Sequence, residues 1–393
     1  MLSNSVAPGY RDVVAETELQ TPRGTVNIRR PHTSDSSPLR GWSAADQLIL
    51  DHLGKDDLGS VLVVNDEFGA LAVALADVQV TTWGDSVFSR TAVLQNLDLN
   101  GLGSDNITLV AGDSQPRGHF DTIVIRLPKT TALLAYQLQV LASLATPATR
   151  FLGVGMARHI HRSTLELFET LGPTVSSKAT RKARLLRVQP IGRVHDVGLT
   201  PTTETFVTAA GIRVVELPGT FSAGHVDAGT ALLIEVLCGD GRPQDEPRVA
   251  DLGCGNGVLA TSVARSWGSG TYTLLDTSDL AIAAAKQTWQ QNGLDPAACD
   301  ARAKDGFEGI EDGFFDVVIT NPPFHQGHAV DRDMTDRLLS DAARVLTSDG
   351  RLYVVAQRHL QIHTRLKRWF GHVETRSQHP THVVLAAIRP KQR

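Results

Sequence analysis

Phe315-Asp316-Val317-Val318-Ile319-Thr320-Asn321-Pro322-Pro323-Phe324 repeats, at a constant shift of 195, the pattern of Phe120-Asp121-Thr122-Ile123-Val124-Ile125-Arg126-Leu127-Pro128-Lys129. Each stretch is an apolar, strand-like run that ends in a proline-containing turn. Two further pairs keep nearly the same offset: Asn100-Gly101-Leu102 with Asn292-Gly293-Leu294 at 192, and Arg158-His159 with Arg358-His359 at 200. So small a drift across landmarks so far apart predicts an α/β protein built from two tandem Rossmann-like domains. Pro190 to Thr203, rich in Pro, Gly and Thr, reads as a linker, giving domains at 39–190 and 204–393 with 191–203 between them. The second domain is expected to open on a hairpin, Glu204 to Thr208, a turn at Gly211, then Ile212 to Leu217. Residues 1–38 are polar and contain prolines between Pro31 and Pro38, so part of them is expected to be loosely ordered.

Upstream in the second copy, the strand-like Arg248-Val249-Ala250-Asp251 runs into Leu252-Gly253-Cys254-Gly255-Asn256-Gly257 and then a helical pattern of Val258, Leu259, Val263 and Trp267. Alternate glycines let the backbone bend through conformations closed to other residues and let a ligand press against bare main chain. A dinucleotide fingerprint needs glycine where Val258 stands, which weakens a hydride-transfer reading. Asp276, 19 residues after Gly257 and at the end of the run Tyr272 to Leu275, is placed to accept ribose hydroxyls. Asp305, behind a third short segment, can accept from an adenine amino group. The candidate cofactor residues are thus Asp251, Gly253, Gly255, Asn256, Gly257, Asp276 and Asp305, with Asn321 at their border. A glycine turn alone is as readily a structural loop; the acids and Asn321 in sequence behind it favour an adenosine site.

Asn321-Pro322-Pro323-Phe324 carries the candidate chemistry. An exocyclic amine on a planar base is a poor nucleophile because its lone pair is delocalised into the ring. The Asn321 side-chain oxygen and the Pro322 carbonyl can each accept one N–H, favouring a pyramidal nitrogen with its lone pair aimed at an electrophile. Proline stiffens the loop that holds these carbonyls, and Phe324 can stack on the base. An Asn-Pro turn merely closing a strand is the competing reading, and the tetrapeptide's place after a βαβ pattern favours catalysis.

The first copy departs at these positions. Asn65 and Glu67 stand opposite Gly253 and Gly255, leaving only Gly69 opposite Gly257, and Arg126-Leu127-Pro128-Lys129 replaces the Asn-Pro-Pro-Phe turn. The amide acceptor and aromatic face are lost and two cations gained, so this copy is expected to be degenerate and noncatalytic. Net charge is −4, unevenly spread: residues 150–190 hold eight Lys/Arg against two Glu, a balance of +6, and residues 351–393 hold nine against one, a balance of +8. Basic segments can attract phosphates, and Lys178, Arg181, Lys182 and Arg184 are the candidate RNA contacts, against the alternative of a solvated face.

With 393 residues and 41% apolar content the chain can bury two or three cores. It has no run long enough to span a bilayer and no signal-peptide pattern at its start, so a cytoplasmic protein is expected. Cys238, Cys254 and Cys299 lack metal-ligand spacing and are expected to be reduced thiols. The histidines around Arg158-His159-Ile160-His161, His359 and His363 have no carboxylate or cysteine at ligand spacing, and no metal is expected.

From Phe221-Ser222 through Asp227-Ala228-Gly229-Thr230, the glycine loop, and Asn321-Pro322-Pro323-Phe324-His325, the second half resembles the ribosomal RNA guanine-N2 methyltransferases. Gln326-Gly327-His328-Ala329-Val330, Ala356-Gln357-Arg358-His359-Leu360 and Asn65-Asp66-Glu67-Phe68-Gly69-Ala70-Leu71 look closer to the large-subunit (23S) branch than to the small-subunit (16S) branch. The likeness covers the chain from about Leu39 onward. It implies a duplicated class I methyltransferase fold with an inactive first copy, S-adenosylmethionine as cofactor, ribosomal RNA as partner, and closure of Phe221 to Thr230 over the cofactor. It also implies that Asp251 and the glycines line the cofactor, that Asp276 takes the ribose and Asp305 the adenine, and that Asn321 to Phe324 hold the guanine amine. The same tetrapeptide serves adenine-N6 and glutamine-amide methylation, so guanine rests on the resemblance; a noncatalytic RNA-binding assembly protein is the other alternative.

Overall fold

The computed structural model describes residues 17–32, 39–192, 203–220, 224–322 and 329–391. Its two halves each hold a seven-stranded sheet. In the second, the strands lie side by side as Cys299–Ala303, Thr271–Asp276, Arg248–Leu252, Phe315–Thr320, Leu346–Gln357, His382–Pro390 and Phe370–Gln378. In the first, the matching order is Ile107–Ala111, Val80–Gly84, Val61–Val64, Thr122–Arg126, Arg150–Met156, Ala183–Val188 and Thr174–Ser176. Five neighbouring strands of each sheet are parallel, and the last two form an antiparallel hairpin at the edge.

The central parallel strands are buried along their length because helices cover both sheet faces. All residues of Val61–Val64 and of Phe315–Thr320 are buried. Chain order reverses between the first strand of each half and its fourth, which opens a crevice at their carboxyl ends where such sheets receive ligands. The repeat seen in the sequence is therefore a repeat of topology, strand for strand.

Residues 17–32 correct the expected domain start at 39, while 1–16 lie outside the described residues. Glu18–Thr21 pairs antiparallel with Gly24–Asn27, and Leu19 and Ile28 are fully buried in the first core. The expected hairpin of the second half, Glu204–Val207 with Arg213–Glu216, is its counterpart. Both hang on the same two positions of the third helix of each half, Val87–Leu99 in the first and Asp279–Gln291 in the second. Asn100 exchanges hydrogen bonds with the Asn27 backbone and Asn96 accepts from Arg29 N, whereas Asn292 exchanges with Arg213 and Thr288 accepts from Val215 N. The first domain thus begins before residue 39. Most of the expected linker, 193–202, lies outside the described residues, as do 33–38.

The halves meet through reciprocal helix starts. Asp279, at the start of helix Asp279–Gln291, takes a two-point ion pair from Arg90 (2.6 and 2.8 Å) and a bond from Gly112 N (2.8 Å). Asp85 of the first half accepts from Ser278 Oγ (2.6 Å) and Leu280 N (2.8 Å). Leu280 and Ala284 bury their side chains in the same cluster as Trp83 and Tyr136. Burial of this interface pushes the Asp85 carboxyl up to about 7.

Candidate active site

Leu252 pairs with Leu275 on one side and Thr320 on the other, so the residues that follow these strands emerge together at the crevice. Gly253 N and Cys254 N both donate to Leu275 O, and Thr320 Oγ donates to Leu252 O at 2.7 Å. The glycine loop, Asp276 and Asn321 are thereby brought to one place. Asp305 joins them through Ala303, which pairs with Asp276, and Lys304 N, which donates to Asp276 O.

The glycines have separate tasks. Gly257 (φ 76°) opens the helix Val258–Trp267, and a Cβ there would sit 2.9 Å from Ala285 Cα. Gly253 (φ 71°) and Gly255 (φ 53°) are also left-handed, yet nothing lies within 4 Å of where their Cβ atoms would be. That bare space above the loop leaves room for a ligand to approach the main chain. Asn256, buried, accepts from Val258 N and shapes the turn. Cys254 is buried and its thiol is pushed up by that burial, so it fills space.

Asp276 accepts from Gly255 N and Ser278 N, both at 3.0 Å, which fixes its carboxylate at the strand end beside the loop. Burial raises its pKa. Asp251 lies beneath the loop, 1% exposed: Oδ2 accepts from Ala260 N at 3.1 Å, while Oδ1 is buried with no hydrogen-bond partner among the described residues. Burial pushes this carboxyl up to about 7. An orphaned buried acceptor under an open glycine loop suits a cationic or N–H donor, such as the ammonium of an amino-acid-bearing cofactor. Asp305 is held by Arg337 at 2.6 Å and by His32 at 2.7 Å.

Asn321 shows the clearest preorganisation. Its Nδ2 donates to Asp227 Oδ2 and to Thr230 Oγ, each at 2.8 Å, and Thr230 Oγ donates to the same carboxylate. A carboxylate can only accept, so the amide nitrogen must face Asp227 and Oδ1 is left for an incoming donor. Asp227 is itself fixed as the N-cap of helix Ala228–Asp240, accepting from Gly229 N and Thr230 N. Asp227 and Thr230 are site residues that the sequence reading did not assign individually. Their signal was a cap acid followed three residues later by a hydroxyl at a helix start.

Pro322 follows directly and is half-buried; Pro323, Phe324 and Phe221-Ser222 lie outside the described residues. Among the described residues no group of three or more His, Cys, Asp or Glu converges as a metal set, and no helix is long and apolar enough to cross a membrane. Lys178, Arg181 and Lys182 are exposed near the turn that joins Thr174–Ser176 to Ala183–Val188, and Arg181 sits 3.6 Å from Asp51. Arg184 departs from the expected quartet: it lies within the strand and is half-buried.

Comparison with known proteins accords with this arrangement. The RLMG N-terminal domain model matches residues 16–192 and the Methyltransferase small domain model matches 211–386. A Pseudomonas putida ribosomal RNA large subunit methyltransferase G is 36% identical over 376 residues, covering 94% of this chain and 99% of the relative. Its Streptomyces coelicolor namesake is 35% identical over 389 residues, covering 94% and 100%. Among solved structures, a T. thermophilus 16S rRNA N2 methyltransferase in complex with AdoMet and guanosine superposes with a TM-score of 0.74 at 23% identity, covering 95% of this chain and 97% of that one. With its duplicated sheets and a relative more than one-third identical across nearly the whole chain, this protein belongs to the ribosomal RNA large subunit methyltransferase G family.

Proposed function

We propose that the second half transfers a methyl group from S-adenosylmethionine to the exocyclic N2 amine of a guanine in large-subunit (23S) ribosomal RNA. The observation that carries this reading is the locked amide of Asn321, whose oxygen is freed beside an open glycine loop by Asp227 and Thr230. When bound, S-adenosylmethionine would supply an electrophilic methyl on a sulfonium centre. Gly253 and Gly255 would cradle it, Asp251 Oδ1 would meet its ammonium, Asp276 its ribose hydroxyls and Asp305 its adenine amine.

Asn321 Oδ1 and the Pro322 carbonyl would each accept one N–H of the guanine amine, drawing its lone pair out of the ring and orienting it. The amide cannot turn to present its own N–H groups without breaking both bonds to Asp227 and Thr230. The excess proton leaves to solvent after transfer. Lys178, Arg181 and Lys182 on the first half would meet RNA phosphates, giving binding a steep salt dependence. Such a protein would act in the cytoplasm.

The test is incubation with labelled S-adenosylmethionine and separately purified 23S and 16S RNA from cells lacking the protein, followed by nucleoside analysis. N2-methylguanosine in 23S RNA is the expected product. Label in 16S RNA would move the protein to the small-subunit substrate, N6-methyladenosine would overturn the base, and no transfer to RNA would favour a noncatalytic binder or an amide substrate.

A further inference from the structure

The carboxylate assigned to adenine is held partly by the other half of the molecule. After the N-terminal hairpin, the chain from Ile28 to His32 runs along the first domain and is pinned at each step. Asn96 accepts from Arg29 N (2.8 Å) and donates to Arg29 O (2.9 Å), and it also donates to Phe68 O (2.8 Å). The Arg30 guanidinium stands 4.6 Å over the Phe68 ring, and the His32 ring packs 5.9 Å from Phe88. Phe68 and Phe88 meet edge to face at 6.1 Å, so the segment lies on a braced aromatic pair. At its end, His32 Nε2 reaches Asp305 Oδ2 at 2.7 Å. From the second half, Arg337 grips Asp305 Oδ1 at 2.6 Å and Oδ2 at 3.3 Å.

We propose that His32 is a positioning residue of the adenine subsite, contributed by the catalytically eroded half. The inference rests on the reading of Asp305 as the acceptor for the adenine 6-amino group. A carboxylate on a strand-end loop can rotate, and a rotating acceptor discriminates poorly between an amino and an oxo group. Arg337 and His32 fix its plane, together filling Oδ2 while leaving Oδ1 a further lone pair for the amino group. Asp305 is 13% exposed, and although burial alone would raise its pKa, the bonds from His32 and Arg337 outweigh this and hold it below the usual carboxylate range. An ionised, oriented acceptor favours the 6-amino group of adenine and repels the 6-oxo group of hypoxanthine.

Equilibrium binding of S-adenosylhomocysteine and of its deaminated 6-oxo analogue to the full chain tests this. The parent should prefer the amino compound. His32→Ala should lower affinity for it by about tenfold, because Asp305 is then free to turn out of line with the 6-amino group, with a far smaller change for the oxo analogue. His32→Gln, which retains an N–H donor, should recover most of the preference. Unchanged binding in His32→Ala, or equal losses for both compounds, overturns the inference while leaving the cofactor reading intact. A parent that binds S-adenosylhomocysteine but does not discriminate the 6-substituent removes the adenine role of Asp305, and the role of His32 with it.

Discussion

At the same place in the two halves, the end of the fourth strand, stand Asn321 and Arg126, and their surroundings have diverged together. Asn321 gives its amide protons to the N-cap Asp227 and to Thr230 three residues on. In the first half the N-cap is Ser43, and the residue three further on is Asp46, whose carboxylate pairs with Arg126 at 2.7 Å. The Arg126 guanidinium also reaches Asn65 O (3.1 Å) and Glu67 (3.3 Å), while Asn65 exchanges two bonds with Gln137. The first site is filled and its polar groups are joined to one another; the second leaves an oxygen free.

The loops differ in the same sense. Gly69 survives because a Cβ there would lie 2.8 Å from Val93 Cα, the packing demand that Gly257 meets against Ala285. The two glycines without such a neighbour in the second half are Asn65 and Glu67 in the first, and Asn65 still holds φ 63°. Asp66 takes over the buried-acid role of Asp251, accepting from Ala72 N as Asp251 does from Ala260 N, but its other oxygen is taken by Leu71 N. Erosion removed what a ligand needs and kept what packing needs.

The largest effect should come from breaking the filled site. Arg126→Met should destabilise the protein by about 3–5 kcal/mol, because Asp46 is left buried and unpaired. Methyl transfer measured well below the melting temperature should persist. The reverse outcome, lost activity with normal stability, would make the first site functional.

Asn321→Ala should do the opposite. It should slow methyl transfer by about 10²–10³ with little change in cofactor affinity or melting temperature, because its oxygen is spent on the reacting amine. Parallel losses in cofactor binding and rate would reduce Asn321 to a structural residue.

A smaller contrast separates the glycines. Gly69→Ala should cost about 1–3 kcal/mol of stability, from left-handed strain and the contact with Val93. Gly255→Ala should cost only about 1–2 kcal/mol of strain but weaken S-adenosylmethionine binding, read by calorimetry. Equal effects on both would dissolve the distinction between packing and cradle.

A last contrast lies in pH dependence. Burial raises Asp66 to about 6 and Asp251 and Asp85 to about 7. Protonation therefore favours the folded state: this contribution is full below about pH 4, the unfolded value, and is lost as pH rises through 6 and then 7. Each group adds a slope of at most about 1.4 kcal/mol per pH unit. Denaturant titrations should show stability falling over this window, with Asp66→Asn flattening its lower part and Asp251→Asn extending the flattening to its upper part. Variants that leave the slope unchanged would mean that these carboxyls stay hydrated.

The duplication, the glycine loop, the strand-end acids and the tetrapeptide that begins at Asn321 were legible in the residues because each rests on short-range constraints. Apolar runs report burial, left-handed turns demand glycine or asparagine, and acids after strands mark a ligand edge. The N-terminal hairpin was not legible, since Leu19 and Ile28 are isolated apolar residues in a polar stretch and only contact with the first core shows why they are there. Nor could the chain reveal that Asp227 and Thr230 fix the face of Asn321, that Arg184 lies within a strand, or that His32 meets Asp305, 273 residues away. Sequence patterns pointed to most of the elements, the N-terminal hairpin excepted, and to the chemistry they offer. Which side chains meet across nearly 100 or nearly 300 residues depends on how the two sheets and their caps pack, and no local preference encodes that.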